Sequence, residues 1–134
     1  MAAFRLQVVS MDGLEFDGEV QRIKLRTIHG DVAILARHMN YVTAIGMGTA
    51  VVTLADGTVR KAACIGGMLT MMNGHCRVIP TTWEWGEDID LERAMDAKRR
   101  AEERLAEDGL DEVARVSAEA RLYRALVRIS SAGK

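Results

Sequence analysis

The stretch Gly86–Glu107, GEDIDLERAMDAKRRAEERLAE, decides how the chain is divided. Before it, apolar residues alternate and glycines punctuate. From it onward they recur at helical spacing. This change of period, from two to about 3.6, marks a β portion followed by an α portion. Asp88 and Asp90 are candidate N-caps, short carboxylates that accept the free N–H groups of a first turn. Leu91, Ala94, Ala97 or Lys98, Ala101 and Leu105 form one stripe of mostly small residues. Arg93, Arg99, Arg100 and Arg104 stand on other faces among Glu92, Asp96, Glu102 and Glu103. Alanine buries little area, at about 0.8 kcal/mol per buried methylene. The stripe therefore predicts a helix that docks weakly and is able to undock.

Downstream, Glu107-Asp108-Gly109 reads as a tight turn, with Gly109 in a left-handed C′ conformation. Asp111 caps a second helix, Glu112 to about Ile129. Two stripes run along it, one of Ala114, Ala118, Leu122, Ala125 and Ile129, the other of Val113, Val116, Ala120, Tyr123 and Val127. A short turn between two helices predicts an antiparallel hairpin.

Upstream, Phe4, Leu6 and Val8 alternate with polar residues, a half-buried strand. Asp12-Gly13 signals a turn, and Leu14 to Phe16 a short strand closed by Asp17-Gly18. Val20 is out of phase with Ile23, Leu25 and Thr27, which predicts a bulge near Gln21 and Arg22. Gly30 to Asn40 shows no clean alternation and is expected to be a loop packed on the core. Strands are expected at Tyr41 to Ile45, Thr49 to Leu54, Thr58 to Ile65, Met68 to Met72 and His75 to Ile79. Gly46 and Gly48 flank a turn at Met47, Gly66-Gly67 breaks a run, and Pro80 falls near the end of the β portion. Asp56-Gly57 and Asn73-Gly74 are two-residue hairpin signals. Eight or more short strands predict an all-β sandwich or flattened barrel. Trp83 and Trp85 are expected to cover the seam between sandwich and helices.

The 134 residues, 49% of them apolar, suffice for a packed core and one appendage. A net charge of −1 gives no electrostatic reason to expect nucleic acid as a partner. No apolar run is long enough to span a bilayer, and the first ten residues do not read as a signal peptide. Cys64 and Cys76 sit in separate strand-like runs and are expected to be buried thiols. His29, His38 and His75 are scattered, so no metal site is expected. No GxxxxGK[ST] loop is present, and no catalytic residue is assigned.

Three strings carry a family resemblance. Gly30 to Gly48 resembles the G-x-hydrophobic-G/A-hydrophobic-L-P-x-H-A-P-L segment of the epsilon subunit of F-type ATP synthases, with His38, Thr43, Ala44, Ile45 and Gly48 in place. It departs from that segment at Ala36 and at Met39-Asn40, where the family has prolines. Gly66-Gly67-Met68-Leu69 is similar to the family's SGG-hydrophobic turn. DLERAMDAKRRAE, Asp90 to Glu102, is very close to the family's D-x-x-R-A-x-x-A-K-x-R-A-E. The resemblance spans essentially the whole chain.

The resemblance implies an α+β protein, with a β-sandwich over residues 1–86 and a helical hairpin over residues 87–134. It implies a non-catalytic rotor subunit that couples the catalytic head to the c-ring of a proton- or sodium-translocating ATP synthase. The sandwich would bind the gamma subunit and the c-ring, with His38, Met39 and Thr43 as partner-binding candidates. The hairpin would lie folded on the sandwich or extend along gamma into the alpha/beta head, where it inhibits ATP hydrolysis. The protein would sit peripherally on the cytoplasmic face of the cell membrane. No cofactor is required, but ATP is implied as a regulatory ligand of the folded hairpin. The family's nucleotide motif maps onto Glu84, Ile89, Asp90, Arg93, Ala94, Arg100, Arg124 and Arg128, with one arginine of the nucleotide-binding members replaced by Ser117. The alternative reading is a free-standing β-sandwich adaptor with a helical arm.

Overall fold

The computed structural model describes residues 2–133; Met1 and Lys134, the outermost residues of the two expected domains, lie outside them. The strands are β1 (Phe4–Ser10), β2 (Gly13–Thr27), β3 (Gly30–Leu35), β4 (Tyr41–Ala44), β5 (Met47–Leu54), β6 (Val59–Met72) and β7 (His75–Trp85). A single 3-10 turn at Gly86–Asp88 leads to α1 (Leu91–Leu105) and α2 (Glu112–Ser131). The α+β class and the order of its parts are as the sequence predicts.

The sheet runs β1-β7-β6-β5-β2-β3, with β4 on β6, and β1 also pairs with β2. The path therefore closes into a flattened barrel. β1 lies parallel to β7, and every other pairing is antiparallel. Long strands that change partners make closure possible. β2 gives its first half to β1 and its second to β3 and β5. β6 gives its first half to β5 and its second to β4. Leu6, Val8, Val20, Ile23, Leu25, Ile34, Val52, Leu69, Met71 and Val78 fill the interior. Full burial stabilises by about 1.5–3 kcal/mol per side chain of this size, so the barrel has a core of its own.

Several expectations are corrected. Among the described residues, seven strands replace eight or more, because two pairs of expected strands are each one strand. Asp17-Gly18 does not close a strand but lies within β2, paired with β1. Gly66-Gly67 does not end β6; both glycines have positive φ and mark the point where β6 exchanges β5 for β4. A Cβ on Gly67 would lie 2.6 Å from the Cα of Pro80, so this close crossing needs glycine. Gly30–Leu35 is a strand rather than a loop, held by pairing with β2. Met47 is the first residue of β5, not a turn residue, and β7 continues past Pro80 to Trp85.

The hairpins divide. Asn73 and Gly74 both have positive φ, as a two-residue primed turn requires. At Asp56-Gly57 only Gly57 does, and the Leu54 N–H donates to the Thr58 carbonyl at 2.8 Å. The loop is therefore Ala55-Asp56-Gly57, three residues instead of two. The predicted bulge near Gln21 and Arg22 is present as a register shift between Val20 and Arg22.

Trp83 and Trp85 do not cover the seam. Both are buried in the barrel core, edge to face at 5.1 Å, and Phe16 packs on Trp85. The seam is a smaller cluster of Ala63, Ile89 and Val127, flanked by Met47 and Ala132. Cys64 and Cys76 are buried free thiols, as expected, and burial pushes both up to about 12.

Candidate functional site

Of the two candidate caps, Asp90 starts α1: its carboxylate accepts from the Arg93 N–H at 3.1 Å. Asp111 starts α2 in the same way, accepting from the Ala114 N–H at 2.8 Å. Gly109 has positive φ but lies beyond the C-cap Ala106, within the connecting turn. The helices pack antiparallel through alanines, with Ala94, Ala101, Ala118 and Ala125 buried. Leu91, expected on that stripe, is 45% exposed. On α2 the alanine stripe faces α1, whereas on the other stripe Val113 is 80% exposed, Val116 and Tyr123 are also exposed, and Val127 is buried in the seam with the barrel. Helical spacing offered both stripes equally, and packing chose the smaller one, which permits the closer approach.

The hairpin touches the barrel almost entirely through the last turns of α2. Arg128 Nε donates to Glu84 Oε1 at 2.9 Å, and Arg128 Nη2 to Glu84 Oε2 at 3.3 Å. Thr49 Oγ1 lies 2.7 Å from Ser131 Oγ and 2.9 Å from Ser130 Oγ. The Gly133 N–H donates to the Gly86 carbonyl at 3.0 Å. A Cβ on Gly86 would overlap the Ser131 carbonyl oxygen and come within 2.6 Å of that of Gly133. At the junction, Arg60 pairs with Glu87 while its guanidinium lies 3.7 Å over the Trp85 ring. The hairpin is thus folded on the barrel, held by one small apolar cluster and a short set of polar contacts.

Between the helices is an open groove of about 400 Å³ lined by Ala97, Arg100, Ala101, Arg121, Arg124, Ala125 and Arg128. It brings three of the sequence-predicted arginines together, Arg100 from α1 and Arg124 and Arg128 from α2. Glu84 adjoins it through Arg128. Ala94 is buried in the helix packing and Ile89 in the seam, while Asp90 acts as a cap. Arg93 does not line this groove; it borders a separate surface of mixed charge, with Asp90, Glu92, Asp96 and Glu102 beside Lys98 and Arg99. The seven-residue spacing places Arg93 and Arg100 on one side of α1, but they stand two turns apart.

Arg121 was missed in the sequence. The signal was present: Arg121, Arg124 and Arg128 stand at i, i+3 and i+7, one face of a helix. Gly86, Thr49 and Ser131, which form the clasp, had no such signal, because their contacts span more than 40 residues of chain.

On the barrel, His38 is half-buried, with Nδ1 2.8 Å from the Met39 carbonyl oxygen. Met39 is 76% exposed, while Thr43 is buried and faces the core. The register places Ala44, Met68 and Ile79 in one row and Val42, Thr70 and Arg77 in the next. Val42, Met68, Met72 and Ile79 are all exposed on this outer face.

A barrel closed by partner-changing strands, carrying an alanine-packed helical hairpin, has clear relatives. Residues 3–86 match the family model for the beta-sandwich domain of the ATP synthase delta/epsilon chain, and residues 87–133 match that for its long alpha-helix domain. The chain belongs to the ATP synthase delta/epsilon chain family. It is 41% identical to the ATP synthase epsilon chain of Caldicellulosiruptor bescii, over 98% of this chain and 95% of the relative. It is 37% identical, over 81% of each chain, to the sodium ion specific epsilon chain of Acetobacterium woodii. Among solved structures, a chain of the Euglena gracilis mitochondrial ATP synthase superposes with a TM-score of 0.81 at 22% identity, covering 94% of this chain and 80% of that one. The free-standing adaptor reading is not favoured. Among the described residues, no helix is long and apolar enough to cross a membrane.

Proposed function

We propose that this protein is the epsilon-type rotor subunit of an F-type ATP synthase, whose hairpin is a nucleotide-sensitive arm. The chain is a non-catalytic subunit of that complex. It works on the central stalk at the cytoplasmic face of the cell membrane, between the catalytic head and a proton- or sodium-driven c-ring. The barrel binds gamma and the c-ring, and the exposed Val42, Met68, Met72 and Ile79 face, beside Met39, is the surface suited to gamma. No resident cofactor is called for; ATP enters as a regulatory ligand.

The observation that carries the regulatory reading is the arginine groove, which exists only while α1 and α2 are folded together. A triphosphate there would gain charge-assisted hydrogen bonds from groups on both helices. It would therefore bind the folded form and not the extended one. A ligand present at 100 times its dissociation constant stabilises the form it binds by about 2.7 kcal/mol. That is comparable with the energy of a seam built from a few small side chains. Without nucleotide the hairpin would extend along gamma into the alpha/beta head and inhibit hydrolysis.

Calorimetric titration of the protein with ATP, and hydrolysis assays of the reconstituted complex, test this. Saturable binding by the full chain is expected, with none by a chain ending at Gly86. The truncated chain is expected to bind gamma normally and to release inhibition. Loss of gamma binding on truncation would overturn this division of labour, and absence of binding at millimolar ATP would remove the sensor.

A further inference from the structure

We infer that Arg121 is a phosphate ligand of the interhelical groove and that Ser117 positions it; this rests on the nucleotide reading given above. Four guanidinium groups border the groove, but their charges are not equally available. Arg128 is matched by Glu84, and Arg100 faces Asp96 at 3.7 Å. Arg99, Arg104 and Arg115 on the outer surfaces of the hairpin are also paired with carboxylates. Among the described residues of the two helices, Arg93, Arg121 and Arg124 are the arginines with no carboxylate partner. Two of these three, Arg121 and Arg124, line the same groove.

Their own helix offers them no relief. One turn before and after Arg121 stand Ser117 and Ala125; around Arg124 stand Ala120 and Arg128. Arg121 and Arg124 are themselves i, i+3 neighbours, a like-charge pair that destabilises a bare helix. Arg115, by contrast, bridges Glu112 and Glu119. The groove therefore holds uncompensated positive charge above a floor of Ala97, Ala101 and Ala125. A compact polyanion carrying a flat apolar group complements both features, which is the chemistry of a nucleoside triphosphate. Arg121 Nη2 donates to Ser117 Oγ at 3.1 Å. That contact occupies one donor and steadies the guanidinium, leaving its other N–H groups for phosphate oxygens.

The test is calorimetric titration of the full chain with ATP and with inorganic tripolyphosphate, for wild type, Arg121→Ala, Arg121→Lys, Ser117→Ala, Arg124→Ala and the surface control Arg115→Ala. Arg121 is exposed, so the variants are expected to keep the wild-type circular dichroism and melting temperature. Arg121→Ala is expected to weaken both ligands by at least about tenfold, the loss of one charge-assisted bond. Arg121→Lys recovers only part of this, because an ammonium lacks the guanidinium fork. Ser117→Ala weakens binding by about two- to fivefold, and Arg115→Ala leaves it unchanged. If Arg121→Ala binds like wild type while Arg124→Ala is weakened, the inference is wrong and the groove reading stands. Equal losses in Arg121→Ala and Arg115→Ala would show diffuse charge instead of a ligand, and also overturn it. No binding of either ligand by wild type at millimolar concentration overturns the groove reading and the inference together.

Discussion

Arg128 and Glu84 form a two-pronged ion pair, 2.9 Å and 3.3 Å on its two arms, that ties the last turns of α2 to the end of β7. The two side chains are 26% and 32% exposed, so water screens the pair only in part. A double-mutant cycle with Glu84→Gln and Arg128→Gln is expected to give a coupling of about 1 kcal/mol, smaller at high salt. The readout is hydrogen exchange of the α2 amides. Zero coupling would reduce the pair to a surface contact with no part in docking.

Gly86 is in contact with the C-terminal tail through its missing side chain. Gly86→Ala places a methyl group against the Ser131 and Gly133 carbonyl oxygens. The tail must move, breaking the Gly133–Gly86 hydrogen bond and the Thr49–Ser131 contact. Protease cleavage within the hairpin should accelerate several-fold while barrel melting changes little. Unchanged cleavage would show that the tail contributes nothing to the docked state.

Cys64 and Cys76 are expected to be inert while the barrel is folded. Burial disfavours the thiolate and pushes each pKa up to about 12. A disulfide reagent at pH 8 should label neither residue appreciably without denaturant, and both fully in its presence. Rapid labelling of Cys64 in the native protein would mean that β6 opens locally.

Glu87 gives the junction a pH dependence of known sign. Burial acts to raise its pKa, but the Arg60 hydrogen bond and charge outweigh it, and the net shift is downward. The folded carboxylate is thus the more acidic, so its contribution is complete above the ordinary glutamate range. It is lost as pH falls through the depressed folded value. Glu87→Gln should flatten the stability profile in that acid window and leave it parallel to wild type near neutrality. An unchanged acid limb would show that the Arg60 contact is absent in solution.

Some of these features were legible in the sequence because they depend on neighbours along the chain. The caps Asp90 and Asp111, the Asn73-Gly74 turn and the bulge beside Val20 each rest on a few adjacent residues. Gly30–Leu35 was not legible, because its strand character comes from β2 beside it. Likewise Gly66-Gly67 looks like a chain break until β4 and β5 are seen sharing one strand. Of the candidate site residues, Arg100, Arg124 and Arg128 line one groove, while Arg93 stands apart and Arg121 joins them.

By itself, the sequence determined the helical hairpin, the β character of the first part and the family, since periodicity, capping and local motifs are short-range properties. The tertiary structure alone decided which stripe of α2 is buried, that Trp83 and Trp85 belong to the barrel core, and that Gly86 is clasped by the tail. It also decided which arginines keep their charge free, because a carboxylate partner such as Glu84 is brought to Arg128 by folding across 44 residues of chain.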